Sequence, residues 1–279
     1  MFLKNLFILF SEEIYLKNFY QFIRNIILLY IDKGIAGLSA QLSYYMLFTF
    51  FPMLLFANTV LGKILPRGFQ LPMSNVIPAP IRNFAQTYID ETGDSTSTKL
   101  MFLGIILTLY SLTRYIRYYR RSIGKIYEKS RDMNFFSDWI ISFLFSLGML
   151  LMFYLAVFSV FVTDSVLSVL GLSFFTGSIW YILRFFIIAL FAFFVICTLH
   201  FAECGSGETF FDFAPGALCS VGFWMIISAI FSYYVNEIAN YSIVYGSIGN
   251  VIMLLLWLNL TNTILLMSGV VNISLNNNT

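Results

Sequence analysis

From residue 238 to the end of the chain, 42 residues pass without a lysine, arginine, aspartate or glutamate, and further charge-free runs fill 34–62, 139–163, 165–183 and 213–236. Runs of this length can cross a bilayer, whose hydrocarbon is spanned by about 20 apolar residues rising 1.5 Å each. Only 11% of the chain is charged and 59% is hydrophobic. An ordinary globular protein has roughly 25% charged residues, so a soluble fold is excluded. Inside lipid every backbone group must be satisfied within the chain, which favours helices over open sheets. The expected architecture is therefore an all-α, polytopic membrane protein with six transmembrane helices at about 36–60, 100–118, 137–162, 177–199, 214–235 and 248–272. The second is the shortest. Its uncharged core, Leu100 to Thr113, covers about 21 Å and borrows length from snorkelling Lys99, Arg114 and Arg117.

Three regions follow from the same pattern. Residues 1–33 alternate Ile14, Tyr15, Phe19, Phe22, Ile23, Ile26 and Ile27 with Glu12, Glu13, Lys17 and Arg24, which predicts a cytoplasmic helix lying on the inner leaflet. A reentrant segment or seventh span is the competing reading, and Ser11-Glu12-Glu13 argues against a cleaved signal peptide. Residues 34–273 form the six-helix domain, with an outer loop at 63–98 broken by Pro66, Pro72, Pro78 and Pro80, and a basic cytoplasmic segment at 114–132. Residues 274–279 are a polar tail. Eleven of the 16 basic residues lie in the leader or between Arg114 and Arg131, against four between Lys63 and Lys99, so both termini are expected in the cytoplasm.

The net charge of +2 is too mild to argue for a nucleic-acid partner. Membrane lipids are the partners that the spans imply. Cys197, Cys204 and Cys219 are odd in number and placed in or beside apolar runs, so free thiols are expected. Cys197-x-x-His200-x-x-x-Cys204 lacks a fourth ligand nearby, and neither a metal nor another cofactor is expected. There is no GxSxG, Walker A, HExxH or GxGxxG motif, and one histidine in the whole chain makes a metal-dependent nuclease a poor reading, so no enzyme is expected.

Three segments are more specific than composition: Ala40-Gln41-Leu42-Ser43-Tyr44-Tyr45 running into Phe50-Phe51-Pro52; Ala214-Pro215-Gly216-Ala217; and Tyr245-Gly246-Ser247-Ile248-Gly249, followed by Leu256-Trp257 and Ser268-Gly269-Val270-Val271-Asn272. Together these resemble the YihY/BrkB family of bacterial inner-membrane proteins, which sometimes carries a ribonuclease BN label. The likeness runs from about residue 36 to 273, and Arg131 and Arg184 also stand where that family tends to have arginine. The resemblance implies a six-helix inner-membrane protein with roles in envelope lipid or solute transport and in resistance to host killing. It marks Pro215, Gly216, Tyr245, Gly246, Trp257 and Asn272 as structural motif residues. The chain departs from the pattern at Val270, where the family usually has glutamate, at Asn259, where it has an aromatic, and at Leu199 to Glu203, where it has Tyr-x-x-x-Pro.

The polar residues of the spans are the remaining candidates. Pro52 removes a donor in mid-span and frees a carbonyl that Ser43 or Thr49 is placed to help satisfy. Asn259 and Asn262 share a face of the last helix and either bond a neighbouring helix or line a polar path. Arg184 lies about 10 Å below the outer boundary, where it snorkels, pairs with Asp164 or Glu237, or meets an anionic headgroup or solute. With Tyr44, Tyr45 and Pro52, these three outline a path for an anionic or amphipathic substrate; the alternative function is a scaffold for envelope integrity or virulence that moves nothing. Glu203, Glu208 and Asp212 are expected to face Arg117, Arg121 or Lys125.

Overall fold

The computed structural model describes residues 20–64, 98–129, 134–161, 178–204, 208–235 and 248–276. Among them every element is helical and no strand occurs: α1 (Tyr20–Asp32), α2 (Ile35–Ile64), α3 (Thr98–Tyr127), α4 (Phe135–Phe161), α5 (Ser178–Cys204), a 3-10 turn (Phe210–Phe213), α6 (Ala214–Tyr233) and α7 (Ile248–Asn276). Three described segments are long and apolar enough to cross a membrane: Phe186–Cys204, Phe210–Tyr233 and Val251–Leu275. The bent pair of α1 and α2 makes a fourth if it is one span. Tyr245, Gly246, Asp164, Glu237, Arg131 and most of the expected outer loop lie outside the described residues.

Neighbouring helices run in opposite directions, and one end of the bundle collects the starts of α2, α4 and α6 with the finishes of α3, α5 and α7. Lys33 pairs there with Glu128, Lys129 with Glu208, and Gly216 with Asn272. We call this the basic end. Gly34 turns the chain by 61° between α1 and α2 with a φ of +62°, a conformation that only glycine adopts without steric cost.

At the centre stands α3, which packs against α2, α4, α5 and α7. Leu112, Tyr115, Ile116, Tyr119, Ile123 and Ile126 recur at helical spacing and are buried. The helix continues to Tyr127, well past the expected end near residue 118. Arg114, Arg117, Arg121 and Lys125 fall on one stripe of that helix. The basic run up to Tyr127 is thus helical, with these four charges on one stripe and Arg120 turned inward.

Hydroxyls within the helices donate to carbonyls one turn back, as Thr108 does to Gly104, Thr113 to Leu109 and Ser43 to Ser39. Pro52 is carried inside α2 without ending it. The carbonyl that it frees receives neither expected proton, because Ser43 donates to Ser39 and Thr49 to Tyr45. Gly104 lets α2 and α3 approach closely: a Cβ there would lie 3.2 Å from the backbone nitrogen of Phe56.

Candidate functional site

The densest polar chemistry lies on the half of the bundle nearer the basic end, in two adjoining clusters around α3. The first is ionic. Arg120, only 1% exposed, donates from Nη1 to Asp138 Oδ1 at 3.1 Å and to Ser142 Oγ at 3.1 Å, and from Nη2 to Glu203 Oε2 at 2.8 Å. One guanidinium thus ties α3 to α4 and α5. Asp138 also accepts from Arg117 Nε at 3.1 Å and Arg121 Nη2 at 3.0 Å. Asp138, Ser142 and Ser146 follow one another at four-residue spacing, so α4 presents a polar stripe to α3, continued by Thr113 and Ser146 at 3.0 Å. Buried ions are tolerated when paired and hydrogen-bonded in this way, because desolvating either partner alone costs several kcal/mol, of order 3–5 when one partner is removed.

Glu203 lies within reach of the Arg121 charge, as expected, but the bonded partners of the acids are other groups. Glu203 takes Arg120, the arginine that faces inward, and not Arg117, Arg121 or Lys125; Glu208 takes Lys129; Asp212 accepts the Thr209 backbone N–H at 2.6 Å and starts the 3-10 turn. The sequence does hold a signal for Arg120, which falls about 100° from the centre of the stripe formed by the other four bases at 3.6 residues per turn. At the surface of the same end, Lys33 holds the Glu128 carboxyl below the ordinary carboxylate range, and Glu208 holds the Lys129 ammonium above its ordinary value.

The second cluster is neutral and centres on His200, which is fully buried. Its Nε2 lies 3.0 Å from the Tyr119 hydroxyl and 3.1 Å from Ser268 Oγ, and its Nδ1 lies 3.4 Å from the Tyr127 hydroxyl. The available donors assign the directions. Ser268 gives its proton to the Leu265 carbonyl at 2.5 Å, so its oxygen accepts from His200 Nε2–H. Asn272 Nδ2 donates to the Tyr127 oxygen at 3.0 Å, which leaves the Tyr127 proton for Nδ1. The serine and histidine are therefore not set up for hydrolysis, because Ser268 is fully buried and its proton points at a backbone carbonyl.

Asn272 extends this network to α6. Its Oδ1 accepts the Gly216 backbone N–H at 2.7 Å, and its Nδ2 also reaches the Phe213 carbonyl at 3.2 Å. Both groups belong to the start of α6, whose first N–H groups have no intrahelical partner. Pro215 sits in the first turn, where its missing donor costs nothing. The motif residues Pro215, Gly216 and Asn272, far apart in sequence, form one joint between α6 and α7. Further along the same pair, Trp257 Nε1 donates to Ser228 and Trp224 Nε1 to Thr261, each at 3.2 Å.

The residues expected to line a path lie on α2, α5 and α7. Asn262 is fully buried: Oδ1 accepts from Tyr115 at 2.8 Å, and Nδ2 donates to Leu258 O at 2.9 Å and Ser43 Oγ at 3.2 Å. Asn259 is half-buried one turn away, and its carbonyl accepts the Thr263 hydroxyl at 2.8 Å. Tyr44 is exposed on α2, while Tyr45 stacks on Tyr118 with ring centroids 4.1 Å apart. Arg184 lies on α5 near its start, in the half of that helix away from the basic end.

Cys197 and Cys204 are buried and Cys219 is exposed, all as free thiols. Among the described residues no group of three or more His, Cys, Asp or Glu side chains is placed to hold a metal ion.

Comparison with known proteins agrees with a membrane bundle. The chain is 27% identical over 241 residues to the ribonuclease-like protein YfkH of Bacillus subtilis, covering 84% of this chain and 87% of that protein. No solved structure matches it. Residues 27–279 match the family described as virulence factor BrkB, which takes in α2 to α7 and both polar clusters, and the chain belongs to this family of helical membrane proteins.

Proposed function

We propose that this BrkB-family protein spans the bacterial inner membrane six times, through α2 to α7, with both termini in the cytoplasm, and moves envelope lipid or another anionic, amphipathic solute across it. The observation that carries the reading is the Arg120 cluster. It lies beside the end of the apolar segment Phe186–Cys204, where ionisable groups are costly and usually serve a substrate path or a gate. Held by Asp138 and Glu203, Arg120 acts as a latch among three helices at the basic end, and releasing Glu203 removes the ionic tie of α5 to α3 and α4, leaving the His200 bonds to α3 and α7. Arg184, at the other end of α5, is the charge that meets the substrate from outside. Asn259 is the polar contact on the way; Asn262 joins it only when α2, α3 and α7 move apart, since its amide is otherwise occupied.

The basic end is the cytoplasmic one in this reading, because it gathers Lys33, Arg117, Arg121, Lys125 and Lys129. A cysteine introduced at Ser95 is expected to react with an impermeant reagent in intact cells and one at Ser130 to stay protected; the reverse pattern overturns the orientation.

Transport itself is tested in reconstituted vesicles with headgroup-labelled lipid. The native protein is expected to speed lipid movement several-fold over empty vesicles, and Arg184→Leu to lose most of that gain while remaining folded. Equal rates for native protein, variant and empty vesicles, repeated with anionic solutes, would favour a scaffold instead. One observation speaks for that second reading: Asn262, His200 and Ser268 are fully buried and bonded to protein, as interhelical joints in a bundle that moves nothing would be.

A further inference from the structure

Arg114 differs from the other arginines of α3. Arg117, Arg120 and Arg121 all bind Asp138, whereas Arg114 forms no ion pair among the described residues. Its guanidinium carbon instead lies 5.4 Å from the Tyr45 ring centroid and 5.9 Å from that of Tyr110. Tyr45 is braced from behind by Tyr118, stacked at 4.1 Å, and flanked by exposed Tyr44 at 5.5 Å. The hydroxyls of Tyr110 and Tyr118 also interact with this guanidinium, and of its five N–H donors the remainder stay available to a ligand.

The surroundings of this pocket are apolar. Phe48 of α2 and Ile106 and Leu107 of α3 are exposed on the same two helices, an apolar surface that suits lipid chains. The helix rises about 21 Å between Arg114 and Glu128, which puts the guanidinium well away from the basic end. A charge at such a place needs a counter-charge that the membrane itself can supply. The phosphate of an anionic phospholipid meets that need, because it accepts two parallel N–H bonds from one guanidinium while the acyl chains run along the apolar face. The hydroxyls of the neighbouring tyrosines add further donors.

We propose that Arg114, seated between Tyr45 and Tyr110, binds the headgroup phosphate of one anionic phospholipid in the groove between α2 and α3. The leaflet follows from the orientation proposed above; the site depends only on the membrane setting of the family.

The test uses the full-length protein in detergent micelles, titrated with phosphatidylglycerol and read by native mass spectrometry as retained lipid. Saturable binding of one phosphatidylglycerol is expected, with phosphatidylcholine binding at least tenfold more weakly. Arg114→Gln is expected to weaken binding tenfold or more, and Arg114→Lys less, because the charge stays but the two-pronged geometry is lost. Tyr45→Leu, which removes a ring and keeps the charge, should weaken it several-fold. Lys125→Gln, an equal loss of charge on the same helix, should leave it unchanged. The site is overturned if Lys125→Gln weakens binding as much as Arg114→Gln, if phosphatidylcholine binds equally well, or if millimolar inorganic phosphate alone displaces the lipid. Should Arg114→Gln fail to fold, equal binding by native protein, Arg114→Lys and Tyr45→Leu would also overturn it.

Discussion

Arg120→Leu is expected to be among the most damaging single substitutions in this chain, lowering stability by about 3–5 kcal/mol in mild detergent. Leucine fills much of the space, so lost packing is not the main cost. The damage comes from Glu203, whose carboxylate loses the guanidinium 2.8 Å away, and less from Asp138, which keeps Arg117 and Arg121. The double variant Arg120→Leu with Glu203→Leu removes both charges and is expected to regain more than half of the loss, since an apolar replacement of a whole buried pair is often neutral. Denaturant or thermal unfolding of the three proteins reads this out. A double variant as unstable as the single one would place the cost in packing and not in the stranded charge.

Gly216→Ala is expected to cost about 3 kcal/mol, at the upper end of what overpacking does. The added Cβ would lie 2.7 Å from Asn272 Cγ and Nδ2 and closer still to the Ser268 backbone carbonyl. A side chain can turn aside, but a carbonyl inside α7 cannot, so α6 must withdraw and the bond from Gly216 N–H to Asn272 is lost with it. Asn272→Ala in the same chain is therefore not expected to rescue Gly216→Ala. Gly222→Ala, later in α6 and with nothing within 4 Å of its Cβ, is the control and is expected to be neutral or to stabilise by less than about 1 kcal/mol. Equal behaviour of the two alanine variants in a thermal unfolding series would refute the close contact of α6 with α7.

The contrast among the three arginine environments of α3 shows where the sequence stops being legible. Seven basic residues between Arg114 and Arg131 read alike as a charged cytoplasmic segment. In the structure Arg120 is buried among carboxylates, Arg121 is half outside, and Arg114 lies on tyrosine rings. Periodicity along α3 separates Arg120 from its neighbours, but it cannot name Asp138 and Glu203 as partners, because that depends on which faces α4 and α5 turn toward it. The same holds for His200. A single histidine between two cysteines looks like a broken metal motif in sequence, and its real role is to join Tyr119, Tyr127 and Ser268 from α3 and α7.

The sequence by itself determined that the described residues are helical and where most of these helices run. Lipid imposes a rule that can be read along one dimension: a long run without charge, with its backbone satisfied locally, becomes a helix wherever it occurs. The starts of α5 and α6 and the whole of α7 follow that rule closely. The tertiary structure alone decided which polar groups are closed joints and which face the bilayer, since that is set by the rotation of each helix about its axis and by partners that lie as far apart in the chain as Ser43 and Asn262. Burial in lipid tells a helix to form; only packing against other helices tells its polar residues where to point.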